Sequence, residues 1–200
     1  MEITKPNRKD RSRQQILDAA MIEFEQHGVE GASMEALATR AGLTRATVYN
    51  LFASKEEIAF AIVHRASTQW GSAFRRRLEA EENARNLLRD ALLAAARWHS
   101  DYPRIAMATL MRALSTDTEM EAPSGRASFR GLLRDVLALG QKQGVIRSDH
   151  DPMPLTFIVL GLFIPTVIHA LQTGKPLTAG QIDWLLQLTL EGIGARSERK

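Results

Sequence analysis

The 200-residue chain contains no cysteine. That absence excludes disulfides, thiolate metal sites and thiol-based redox sensing, and it fits a reducing, cytoplasmic setting. A strong charge of one sign is also missing. Lys and Arg number 26 against 23 Asp and Glu, a formal net charge of +3. The chain is therefore no general nucleic-acid coat, and any DNA contact must come from a local basic patch. The first fifteen residues, MEITKPNRKDRSRQQ, lack the apolar core of a signal peptide. There is no Gly-rich phosphate loop and no nucleophile elbow. His27, His64, His99, His150 and His169 are scattered, and none completes a Glu-x-x-His di-metal motif. Asp149-His150-Asp151 reads as a capped turn before it reads as a cation site. Together these absences argue against an enzyme and call for no cofactor and no metal. Internal repeats and strand-like alternation are missing too, so the fold class is all-α.

What is present centres on residues 34–55, MEALATRAGLTRATVYNLFASK. Leu37, Ala38 and Ala41 recur at helical spacing until Gly42, which suits a turn because it can take φ > 0 without Cβ strain. Leu43 can cover the inside of the corner. Thr44 can cap a second helix, in which Val48 and Leu51 share a face. Ala38 is small where two crossing helices would approach most closely. The outward face of the second helix carries Arg45, Thr47, Tyr49 and Asn50, a set of donors and acceptors with an aromatic hydroxyl. This is the pattern of a helix-turn-helix, whose second helix enters the DNA major groove.

Around this stretch the chain reads as follows. Lys5, Arg8, Lys9, Arg11 and Arg13 form a basic segment, and residues 1–12 are expected to be a flexible arm in which Pro6 and Asn7 oppose helix, either a solvated tail or an arm that contacts phosphates or the minor groove. From Arg13, the residues Ile16, Leu17, Ala20, Met21 and Phe24 make one apolar stripe, closed by Gly28. Ser33 can cap the next helix and Ser54 a long fourth one. Beyond it lie amphipathic helices at 87–99, 105–114 and 129–143, with a turn-rich loop at 115–125. Residues 155–171 are the most apolar run. At ~20 residues a membrane span would be longer, and Pro165 and His169 interrupt the run, so a buried helix is expected and no membrane partner. A last helix covers 179–195.

The segment GVEGASMEALATRAGLTRATVYNLFASKEEIAFAIV resembles the DNA-binding domain of the TetR/AcrR family of transcriptional regulators. The likeness rests on Ala41 to Thr44, on Thr47-Val48-Tyr49, on Phe52 and on Ser54 to Glu57, and covers roughly residues 10–63. It implies a three-helix DNA-binding domain at residues 13–57 and a larger effector-binding and dimerisation domain at residues 58–200. It also implies a homodimer on double-stranded, palindromic operator DNA, most often as a repressor that a small molecule releases. Carried over by position, Thr44, Arg45 and Thr47 would reach base edges or nearby phosphates, while Ser33, Tyr49 and Lys55 would hold phosphates. Leu51 stands where the family usually has Tyr or His, and Asn50 could take over part of that role.

Dimerisation is expected through the two C-terminal helices, about 154–172 and 179–195, pairing with their copies in a four-helix arrangement. Candidates for an effector pocket are the large apolar groups Trp98, Tyr102, Met107, Met111, Phe129, Phe157, Phe163 and Trp184, with His99, Arg104 and His169 as orienting polar groups. So few polar groups point to an apolar or aromatic effector. The competing readings are a constitutive DNA-binding regulator without a ligand and, more remotely, a helical-bundle enzyme.

Overall fold

The computed structural model describes residues 7–115 and 128–191, with side chains of the first stretch to residue 112. Lys5 and Pro6, residues 116–125 of the loop expected at 115–125 and the last turn expected at 192–195 lie outside the described residues, and Ser115 ends a helix instead. Among the described residues all regular structure is helical, which bears out the all-α reading. The helices are α1 (Arg8–Gly31), α2 (Met34–Ala41), α3 (Arg45–Leu51), α4 (Lys55–Glu79), α5 (Ala84–Asp101), α6 (Pro103–Ser115), α7 (Phe129–Lys142), α8 (Pro152–Thr173) and α9 (Ala179–Glu191).

The flexible arm expected over residues 1–12 is helical from Arg8 onward. Asn7, expected to oppose helix, is the residue that starts it: its Oδ1 accepts a hydrogen bond from the Asp10 amide at 2.8 Å. Arg8, Lys9 and Arg11 therefore stand on the first turns of α1. Near the other end Gly28 sits at φ 75°, ψ 162°, a region open essentially to glycine alone, and kinks the helix before its last turn. No heavy atom lies within 4 Å of a Cβ added there. Gly28→Ala should thus cost backbone strain alone, about 1–3 kcal/mol, read as a lower urea midpoint at unchanged slope.

The described residues form two compact units, one of residues 7–66 with 101–115 and the other of residues 67–100 with 128–191. The first unit is built on Ile16, Leu17, Ala20 and Phe24 of α1, packed with Leu37 and Ala38 of α2, Val48, Phe52, and Ile58 and Ile62 of α4. α6 belongs to this unit, although its place in the chain groups it with the C-terminal helices. The Glu25 carboxylate of α1 accepts from the free first-turn amides of α6, Arg104 at 3.4 Å and Ile105 at 2.9 Å, and Arg104 Nη1 donates to the Gln26 carbonyl at 2.7 Å.

In the second unit Leu87, Leu88, Ala91 and Leu92 of α5 are buried, as are Leu132, Leu133 and Val136 of α7 and inward residues of α8 and α9, and α8 packs against both α7 and α9. Asp151 caps α8, accepting from the Met153 amide at 2.8 Å, and Pro152 takes the first helical position, where its missing N–H costs nothing. α8 is long and apolar enough to cross a membrane, with a mean hydropathy of 2.0. The expected burial holds on one face only. Val159, Phe163 and Val167 point into the unit, whereas Phe157, Ile158 and Leu162 are 54%, 54% and 45% exposed.

Candidate nucleic-acid interface

The geometry of the corner follows from its residues. Gly42 adopts φ 66°, ψ 31°, a left-handed conformation that would strain any residue with a Cβ. That reversal lets the Gly42 amide reach the Thr39 carbonyl at 3.1 Å and the Leu43 amide reach the Ala38 carbonyl at 2.9 Å, which closes the end of α2 as a Schellman motif. Thr44 then opens α3, its Oγ1 accepting from the Thr47 amide at 3.2 Å and lying 2.8 Å from Thr47 Oγ1. Ala38 is buried at the crossing, and Val48 is fully buried beneath it. Leu51, expected to share that buried face, is only half-buried. Phe52, one residue on and four from Val48, takes the inner position.

This packing turns the other side of α3 outward. Thr44, Arg45 and Asn50 are exposed and Tyr49 is 43% exposed, while Thr47 is half-buried. The Arg45 guanidinium lies 5.3 Å from the Tyr49 ring centroid and forms a 2.8 Å ion pair with Glu35 of α2. Ser33 is exposed at the start of α2, where its Oγ accepts from the Ala36 amide at 3.1 Å. Its hydroxyl proton remains available as a donor. Six of the seven DNA-binding candidates from the sequence thus cluster on α3 and the two cap positions.

The seventh, Lys55, has a second role that the sequence did not reveal. Its ammonium donates to the Glu30 carbonyl and, at 3.2 Å, to the Ala32 carbonyl, tying the start of α4 to the end of α1. Two of its three donors are spent on that tie. Arg13, expected to belong to the basic segment, also has a structural role. Its guanidinium lies 4.2 Å over the Phe52 ring and Nη1 donates to the Leu51 carbonyl at 3.5 Å, the last carbonyl of α3. Arg13 holds the end of α3 from behind. No local sequence signal marks this contact, because it joins positions 38 residues apart.

The same unit is braced elsewhere by cations. Arg65 donates to Gln14 at 3.0 Å and Asp18 at 2.6 Å. Arg40 Nε meets the buried Glu23 carboxylate at 2.8 Å. Glu23 also lies 3.7 Å from His27, four residues on, so this histidine does pair with a carboxylate along its own helix. Among the described residues no group of three or more His, Asp or Glu side chains could hold a metal ion.

The pocket candidates separate. Tyr102, Arg104, Met107 and Met111 fall in the first unit. Within the second, Phe157 and Trp184 are exposed, Trp184 at 62%, and so is His169. Trp98, His99, Phe129 and Phe163 come together in a run of ring contacts: Trp98 to His99 at 5.4 Å, His99 to Phe163 at 6.4 Å and Phe163 to Phe129 at 6.3 Å. Trp70, not among the candidates, joins it at 5.9 Å from Phe129. A nearby recess between α4 and α7, lined by Ser67, Gly71 and Leu132 among others, holds only about 10 Å³.

His99 is the buried titratable group of this cluster. Its Nδ1 lies 2.6 Å from the Ala95 carbonyl, which can only accept, so Nδ1 carries the proton and Nε2 is left as an acceptor. Burial holds its pKa below the ordinary histidine value, against a smaller upward pull from the Ala95 hydrogen bond. The folded protein therefore disfavours the imidazolium, while the unfolded chain takes up the proton near pH ~6.5. The stability from neutral His99 is complete above that pH and declines as pH falls below it. His99→Phe should flatten this acid-side decline in thermal melts between about pH 7.5 and 5.

Comparison with known proteins follows this division. Residues 16–62 match the family model described as bacterial regulatory proteins, tetR family. The chain is similar to the HTH-type transcriptional activator FasR of Mycolicibacterium smegmatis, with 34% identity over 86 residues, which is 43% of this chain and 39% of that relative's length. Its fold is similar to that of Thermus thermophilus FadR, a TetR-family repressor in complex with lauroyl-CoA, at 21% identity and a TM-score of 0.77 over 94% of this chain and 98% of the other. It is also similar to PfmR, a TetR-family regulator from Thermus thermophilus, at 27% identity and a TM-score of 0.60 over 90% of this chain and 98% of the other. The match to the tetR family of bacterial regulatory proteins thus falls on residues 16–62, the stretch that holds the helix-turn-helix, and the chain spans 39% of the length of the curated relative it resembles.

Proposed function

We propose that the protein is an effector-released repressor that binds a palindromic operator in the cytoplasm as a homodimer. The observation that carries this reading is the outward face of α3, where Arg45, Tyr49 and Asn50 stand clear of the core that Val48 and Phe52 anchor and Thr47 is half-buried beside them. A helix of this kind reads base edges from the major groove, and Ser33, Thr44 and Lys55 lie where phosphates flank it. Functionally, residues 13–57 bind DNA, the first residues of α1 add basic charge beside it, and residues 58–200 serve dimerisation and effector binding.

Pairing through α8 and α9 is supported by the exposed apolar residues Phe157, Ile158, Leu162 and Trp184, which a second copy would cover. Two copies would then present their recognition helices ~34 Å apart, one DNA turn. The effector carries an apolar chain, an acyl-CoA being the best supported class because a similar fold holds lauroyl-CoA. The ring cluster of Trp70, Trp98, His99, Phe129 and Phe163, half-buried except at His99 and Phe163, is where its chain would enter. The packed state around the 10 Å³ recess would have to open for it, so effector and operator would favour different conformers. To weaken operator binding a hundredfold, the effector must prefer its own conformer by about the same factor.

Selection of duplexes from a random pool tests this reading. A palindrome should emerge, and Tyr49→Ala should weaken its binding. Recovery of no preferred sequence would overturn it.

A further inference from the structure

We propose that His99 makes the protein selective for an effector whose apolar chain carries a hydroxyl group, which donates a hydrogen bond to Nε2 of the imidazole. The inference rests on the reading of the ring cluster as the place where an acyl chain enters. His99 of α5 is flanked by the rings of Trp98 at 5.4 Å and Phe163 at 6.4 Å, and only 8% of it is exposed. Its Nδ1 is committed to the Ala95 carbonyl, so Nε2 carries the lone pair. Among the described residues no donor engages Nε2. Among them, too, no side-chain nitrogen or oxygen is both sealed off and without a partner, so Nε2 stands open to an incoming molecule.

The chemistry of the cluster sets this nitrogen apart. The other rings are two phenylalanines, which have no polar atom, and two tryptophans, whose indole N–H groups can only donate. Nε2 is therefore the one acceptor that the rings offer. Burial disfavours the imidazolium, so Nε2 meets a ligand as a lone pair and not as a cation. A carboxylate or carbonyl, which can only accept, gains nothing there. Among donors, an ammonium would cost far more to bury than an uncharged hydroxyl. A plain chain packed over Nε2 takes it out of water and leaves an acceptor unpaired. A hydroxylated chain also takes it out of water but replaces the lost bond. The two chains thus differ at His99 itself.

The test is titration calorimetry of wild type and His99→Phe with lauroyl-CoA and with lauroyl-CoA hydroxylated next to the thioester, in mid-chain or at the chain end. At least one hydroxylated thioester should bind wild type about three- to tenfold tighter than lauroyl-CoA, as one net neutral hydrogen bond implies. His99→Phe keeps a ring and removes the acceptor, so the order should reverse in favour of lauroyl-CoA. In nitrogen-NMR spectra of wild type, the His99 Nε2 signal, recognised by its Nδ1–H tautomer, should lie upfield in the preferred complex relative to the lauroyl-CoA complex. That readout serves if His99→Phe does not fold. Hydroxylated chains that all bind wild type no tighter than lauroyl-CoA overturn the proposal. So does a preference that persists in His99→Phe. A His99→Phe loss of equal size on every thioester would place the contact away from the chain hydroxyl and overturn it too. If no acyl-CoA binds wild type at all, the acyl-CoA reading falls as well.

Discussion

Replacing Ile158 and Leu162 together by glutamate should convert the protein to a monomer and weaken operator binding by about 10²–10⁴-fold. Both residues lie on the outer face of α8, 54% and 45% exposed, beside Phe157 at 54%. A single chain leaves this patch to water, and a long apolar helix with one uncovered face calls for a partner surface. Two carboxylates per subunit at a two-fold interface would face their own copies, where burial and like charge both oppose association. The recognition helix lies in the other compact unit, so each half-site contact would survive and only the gain from joining two of them would vanish. Sedimentation velocity reports the mass and fluorescence anisotropy the affinity. A dimer that persists, or a monomer that binds the operator as tightly as wild type, contradicts the assignment of α8.

Phe163→Ala should destabilise the second unit by about 3–5 kcal/mol. Phe163 is 2% exposed and lies between Phe129 and His99, so its removal empties the middle of the ring cluster. A loss of that size is a large share of a domain's ordinary stability. Urea unfolding followed by tryptophan fluorescence should show it, since Trp70 and Trp98 both border the cluster. If the effector chain enters this cluster, a saturating acyl-CoA should recover part of the loss by occupying the vacated space. A variant as stable as wild type would mean that the cluster is already loose and that Phe163 does not hold it together.

The helix-turn-helix was legible because its signals are local. Gly42, Thr44 and Ser33 announce a turn and two caps within a few residues, and the Val48 spacing gives the inner face. Features formed between distant positions were not legible. Lys55 is spaced like a phosphate contact, yet two of its donors serve carbonyls 23 and 25 residues away. Arg13 looks like free charge in the sequence because its partners, Leu51 and Phe52, stand beside it only after folding. α6 looks like part of the C-terminal helices, since nothing local shows that Glu25 would cap it from 80 residues away. α8 is obscure for another reason: it is apolar on every face, so helical periodicity could not tell Phe163, which is buried, from Leu162, which is not. The basic start of α1 is ambiguous because Asn7 both disfavours helix interiors and favours helix starts.

The proposed switch depends on one coupling, between an effector whose apolar chain enters the second unit and the recognition helix in the first. The direct measurement is a titration of lauroyl-CoA into the complex of the full-length protein with its fluorescein-labelled operator, at fixed salt. Anisotropy should fall to the value of free DNA, while the same acyl-CoA raises the thermal stability of the DNA-free protein. Anisotropy that stays unchanged while the acyl-CoA binds, or an acyl-CoA that does not bind at all, would contradict the coupling.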